Sequence, residues 1–120
     1  MTLTMSARRT GGATVVRLAG ELDSRSAVQL RMFVLDQIAK RHHVLVLDLA
    51  AVPFVDSAGC RTLVDARQRL RERRGQLHLA RPTRDVSRML RTTGLGRVLP
   101  PHTTIAAALR ACDEAGRPPA

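Results

Sequence analysis

At 120 residues, 44% of them apolar, the chain has the length of one domain and enough hydrophobic material for a single core. Its apolar residues fall in short runs along the whole length, none near the ~20 residues that cross a bilayer, a pattern that excludes a disordered chain and a membrane-spanning helix. The formal charge of +10 invites a nucleic-acid partner, but every basic residue except Lys40 is an arginine, spread over all segments. Trp and Tyr are absent and only Phe33 and Phe54 are aromatic, so platforms on which single-stranded bases could stack are missing. Direct nucleic-acid binding is therefore a rival reading and not the leading one.

The predicted elements, in chain order, begin with a weak strand from Leu3 to Arg8, a turn at Gly11-Gly12 and a β-branched strand from Thr14 to Leu18 that stops at Gly20. From Ser26 to Arg41 the apolar residues Ala27, Leu30, Val34 and Ile38 recur at helical spacing, with Ser24 or Ser26 available as the N-cap. The run Val44 to Leu49 is almost wholly apolar and short, as suits a central strand covered on both faces. A second helix is expected from Ala58 to Arg73, with Leu63, Ala66 and Leu70 on one face and Gly75 as its stop. A strand from Gln76 to Ala80 closes at Pro82, and a helix from Arg84 to Thr93 ends at Gly94. Val98 and Leu99 suggest a short last strand before Pro100-Pro101. Thr103 or Thr104 can then cap a helix carrying Ile105, Leu109 and Cys112.

This order, ββαβαβαβα, predicts an α/β fold: a mixed sheet of four or five strands with about four helices packed on it. Val44, Val46, Leu63, Leu70 and Leu90 are the expected core. One domain is expected over residues 1–120, its core at 3–115 and a tail at 116–120. Arg8 and Arg9 are followed by no apolar stretch of the kind a secretory signal needs, so a cytoplasmic location is expected. Cys60 and Cys112 lie far apart, outside any metal-ligand spacing and on apolar helical positions, and read as reduced core thiols. No metal and no cofactor is expected.

The informative stretch is Val52-Pro53-Phe54-Val55-Asp56-Ser57-Ala58-Gly59, which leads from the central strand into the start of a helix. A helix N-terminus offers unpaired backbone N–H groups and partial positive charge, so a phosphoryl group on Ser57 would gain about 0.3–2 kcal/mol there. Simple capping of the helix by Ser57 or Asp56 is the competing reading. Gly59 costs a helix about 1 kcal/mol against alanine, and its presence suggests that the backbone of another molecule comes close.

With Gly20-Glu21-Leu22-Asp23 after the second strand, Leu47-Asp48-Leu49 in the central one, Val55-Asp56-Ser57-Ala58-Gly59 at the helix start and Gly94-Leu95 after the third helix, the chain resembles the STAS family. That family is named for sulphate transporters and anti-sigma-factor antagonists, and the likeness, over roughly residues 3–115, is to its soluble antagonist branch. The resemblance implies a binding protein and not an enzyme. It implies that Ser57 is phosphorylated by an anti-sigma factor with serine kinase activity, which uses ATP, and that the unphosphorylated protein binds this partner and releases the sigma factor. A phosphatase would reset the switch. The docking surface implied comprises Asp23, Ser24, Asp56, Ser57, Ala58, Gly59 and Cys60, although Asp23 also reads as a turn or cap residue. Phosphorylation would set about 1.5 to 2 negative charges beside Asp56 and Asp23, and binding should collapse without a change of fold.

Two further readings compete. A STAS subunit of a lipid-transport or sensory assembly would lack the phosphoswitch. A hydrolase would pair Ser57 with His42 or His43, but no Gly-x-Ser-x-Gly elbow is present and the adjacent histidines read as a polar turn; no catalytic residue is assigned. Membrane and small-molecule ligands are not expected.

Overall fold

Residues 3–116 are described in the computed structural model, and they begin as an antiparallel hairpin. Strand β1 (Thr4–Thr10) returns into β2 (Ala13–Ala19) with Thr10 opposite Ala13. Gly11 turns with φ +58, the left-handed backbone that a two-residue hairpin loop requires. Helix α1 (Ala27–Ala39) then crosses to β3 (Val44–Ala51), which lies parallel to β2, and α2 (Ser57–Arg71) crosses to β4 (Gln76–Ala80), parallel to β3. The sheet order is β1-β2-β3-β4. Helices α3 (Arg84–Thr93), the single turn α4 (Leu95–Val98) and α5 (Ile105–Ala115) follow.

The alternation of β3 divides the core. Leu45, Leu47 and Leu49 face one side, where they join Leu30 and Val34 of α1, Leu63 and Leu70 of α2 and Leu90 of α3. Val46 faces the other side with Ala13, Val15 and Ala80, under Ala108 and Cys112 of α5. A strand covered on both faces has no need of polar alternation, which is why Val44–Leu49 reads as a continuous apolar run.

The mixed four-stranded sheet with helices on both faces is the expected architecture. Two expectations need correction. Val98 and Leu99 form no fifth strand: Val98 ends α4, and only an isolated bridge joins Ala80 to His102. His102 gives its N–H to the Leu79 carbonyl and receives that of Arg81, whereas Pro100, two residues earlier, has no N–H to extend the pairing. Val44 is half-buried and packs at the margin of the α5 face; Val46, Leu63, Leu70 and Leu90 are buried as expected. Both cysteines are free and buried. The expected tail at Arg117-Pro118-Pro119 lies outside the described residues. None of the described helices is long and apolar enough to cross a membrane.

Candidate functional site

The two motif segments that sequence separates by some thirty residues are stitched together through Leu22. Its N–H donates to the Phe54 carbonyl at 3.0 Å, and its own carbonyl accepts the Asp56 N–H at 3.1 Å, closing a parallel bridge between Leu22 and Val55. The loop after β2 and the entry to α2 therefore form one surface at the C-terminal end of β3. Asp23, next to Leu22, and Asp56, next to Val55, are brought to the same edge by this bridge.

Asp56 caps α2. Its backbone is extended and its Oδ1 accepts the Gly59 N–H at 2.8 Å. Ser57 is consequently the first helical residue, exposed, and the capping role that competed for it belongs to its neighbour. Ala58 is half-buried, while Gly59 and Cys60 are buried. The backbone that approaches Gly59 is the chain's own and not another molecule's: a Cβ there would stand 2.4 Å from the Leu22 carbonyl oxygen and 2.9 Å from Val55 Cγ1. Cys60 lies under the surface, where burial pushes its thiol above the ordinary range and leaves a poor nucleophile.

Asp23 organises the opposite loop. Its Oδ1 accepts the N–H groups of Ser26 at 3.0 Å and Arg25 at 2.9 Å, and these donors, that of Ser26 foremost, hold the carboxyl below its usual range. Ser26, buried, donates its hydroxyl to the Glu21 carbonyl at 2.6 Å and makes no side-chain cap to α1; Ser24 is exposed. Asp23 is thus a turn residue whose charge stays ionised at the surface.

Two features of the site escape a reading of the motifs alone. Phe54 is 49% exposed three residues before Ser57, an uncovered aromatic close to it in the chain. Asp48, buried within β3 opposite Ala80 at the end of β4, takes a bidentate pair from Arg81 at 3.0 Å on each oxygen and the Ala50 N–H at 3.1 Å. These partners outweigh the desolvation that would raise its carboxyl and hold it below the ordinary value. The pair ties β3, three residues before its end, to the segment that follows β4. A lone carboxylate in an apolar strand is the sequence signal for it.

The histidines proposed for a hydrolase are not near. His42 Nδ1 contacts Gln37 Oε1 at 3.2 Å and His43 Nε2 the Ile38 carbonyl at 3.4 Å, at the start of β3. The eight residues of β3 separate that end from the Ser57 loop, by about 25 Å at the usual strand rise. Among the described residues no cluster of three or more His, Cys, Asp or Glu side chains could hold a metal.

Comparison with known proteins agrees with this architecture. The STAS domain model matches residues 4–108. The chain belongs to the STAS family. An anti-sigma F factor antagonist of Paenibacillus polymyxa is 29% identical over 90 residues, 74% of this chain and 77% of that protein. The crystal structure of an anti-sigma factor antagonist from Mycobacterium paratuberculosis superposes with a TM-score of 0.83 at 27% identity, over 92% of this chain and 94% of that one. The anti-sigma factor antagonist SpoIIAA of Bacillus, solved unphosphorylated and phosphorylated, shares the fold with TM-scores of 0.77 and 0.68 at 21% and 22% identity. These cover 92% and 90% of this STAS chain and 97% and 98% of SpoIIAA.

Proposed function

We propose that this STAS protein is an anti-sigma-factor antagonist: unphosphorylated, it binds an anti-sigma factor that is also a serine kinase, and phosphorylation of Ser57 releases that partner. The observation that carries the reading is the exposure of Ser57 at the first position of α2 while Asp56 supplies the cap, so that the Ser57 hydroxyl is not consumed by holding the helix. A phosphoryl group on it would meet the partial positive charge of the helix start. Outward, it would stand between Asp56 and Asp23 and oppose a docked partner by like-charge repulsion and desolvation. Phe54 supplies the apolar contact such a surface needs. Support also comes from the antagonists of Paenibacillus and Mycobacterium that the chain resembles and from the phosphorylated form of SpoIIAA. The chain itself acts by binding, with ATP the substrate of its partner and a phosphatase completing the cycle.

The test is incubation with extract of the source cells and ATP, then intact-mass measurement and peptide mapping. One added phosphate on Ser57, and recovery of a kinase-like anti-sigma factor on a Ser57→Ala bait, are expected. A chain that takes up no phosphate at Ser57 would instead be a constitutive STAS subunit.

A further inference from the structure

Among the described residues, half of the outer edge of strand β4 has no pairing partner. In a parallel ladder alternate residues turn their main-chain groups to opposite sides. The Gln76 N–H goes inward to the His43 carbonyl, so Leu77, Leu79 and Arg81 turn theirs outward. His102 takes the outward carbonyl of Leu79 and the N–H of Arg81, but the pairing ends at Pro100 and the edge beside Leu77 opens into a cavity of about 330 Å³.

One wall of this cavity is polar and ordered. Gln76 Nε2 donates to the Cys112 carbonyl at 3.3 Å, which turns the amide oxygen toward His78. Gln76 Oε1 therefore accepts from His78 Nε2 at 2.8 Å, and His78 Nδ1 is left to accept from His102 Nε2 at 3.3 Å. The chain of bonds runs in one direction and sets His78 as the neutral tautomer protonated at Nε2.

A second wall carries charge without a counter-charge. Arg67 and Arg71 stand four residues apart on α2, an arrangement of like charges that disfavours a helix, and both line the cavity. Among the described residues the ion pairs belong to Lys40, Arg69 and Arg81, and no carboxylate lines this space. The remaining wall, from Leu77, Val98 and Leu99, is apolar, with Val98 44% exposed.

We propose that this cavity binds a small, soluble organic phosphate monoester, its dianionic head taken by Arg67 and Arg71 against the imidazole wall and its apolar body laid on Leu77, Val98 and Leu99. Two fixed positive charges match the ~1.5 to 2 negative charges of a phosphate monoester at neutral pH better than they match a carboxylate. The site shares no residue with the surface around Ser57 and stands independently of the switch.

The test is titration of the ¹⁵N-labelled chain at neutral pH with hexyl phosphate, inorganic phosphate and hexanoate. Saturable amide shifts at Leu77, His78, Val98 and His102 are expected, with hexyl phosphate binding about tenfold more tightly than either other probe. The double variant Arg67→Gln/Arg71→Gln, on an exposed helix face where glutamine keeps the helix, should lose about tenfold in affinity. The control Arg31→Gln/Arg61→Gln, away from the cavity, should lose little. Absence of saturable shifts, equal affinity for the three probes, or equal losses in the two double variants would overturn the proposal.

Discussion

Gly59 and Leu22 are in contact through their backbones: the Leu22 carbonyl oxygen occupies the space a side chain at position 59 would need, 2.4 Å from its Cβ. The same oxygen accepts the Asp56 N–H, so it cannot withdraw without breaking the bridge that joins the two halves of the site. Gly59→Ala would gain about 1 kcal/mol of helix propensity against overpacking of about 1–3 kcal/mol, with the hydrogen bond at risk besides. The variant should be less stable than the parent in denaturant titration. Gly12→Ala, where a Cβ meets nothing within 4 Å, is the matched control and should change little. An unchanged or raised midpoint for Gly59→Ala would show that the loop yields.

Much of this geometry was legible in residue order, and the exceptions have physical causes. Helix α3 and strand β4 start and stop at the expected residues because Thr83, Pro82 and Gly94 punctuate them locally, Gly94 with φ +76 at the helix end. Position could place Ser57 at a helix start but could not decide between it and Asp56 as cap, since both residue types suit that role. Gly59 announced a close approach, but sequence does not say whose backbone approaches. Val98-Leu99 has strand composition, and its fate was decided by the missing N–H of Pro100 and by the turn of helix that takes in Val98 and is capped by Leu99. The pairing of Asp48 with Arg81 spans 33 residues and needs the parallel register of β3 with β4, which no local pattern encodes.

Acid should weaken the fold in two separable steps. His78 is held neutral: burial first, and His102 second, lower its value below the ordinary 6.5. The unfolded chain then takes up a proton that the folded chain refuses, so stability falls as pH drops through about 6.5 and stops falling once the folded pKa is passed. Asp48 is lowered from 3.8, so its stabilisation is present above about pH 4 and is lost as pH falls through its folded value. Urea titrations across pH should show His78→Gln removing the first step and Asp48→Asn the second. Retention of both steps in both variants would assign them to other groups.

Asp56 and Ser57 are adjacent carriers of different work. Asp56→Ala removes the acceptor of the Gly59 N–H and should cost about 0.5–2 kcal/mol. Ser57→Ala changes an exposed side chain at the first helical position and should stay within about 0.5 kcal/mol. Denaturant midpoints of the two variants decide it. Equal losses would mean that Ser57 contributes to holding the helix after all.

Ser57→Ala and Ser57→Asp should separate the two halves of the proposed switch, since both remove the phosphoacceptor and only aspartate adds charge. Neither should disturb the fold, because the cap is on Asp56 and the Leu22 bridge involves main-chain atoms. With alanine the surface between Asp23 and Asp56 keeps its native charge, and the anti-sigma factor should bind constitutively. With aspartate a third carboxylate joins two others, one of them, Asp23, firmly ionised by its backbone donors. The partner must then desolvate an additional negative charge, and affinity should fall by about tenfold or more, corresponding to about 1.4 kcal/mol. Calorimetric titration of both variants against the cognate anti-sigma factor reads the difference directly, and added salt should narrow it if exposed charge is the cause. Equal affinities would show that charge at position 57 does not govern binding, leaving a STAS subunit that holds its partner whatever the state of Ser57.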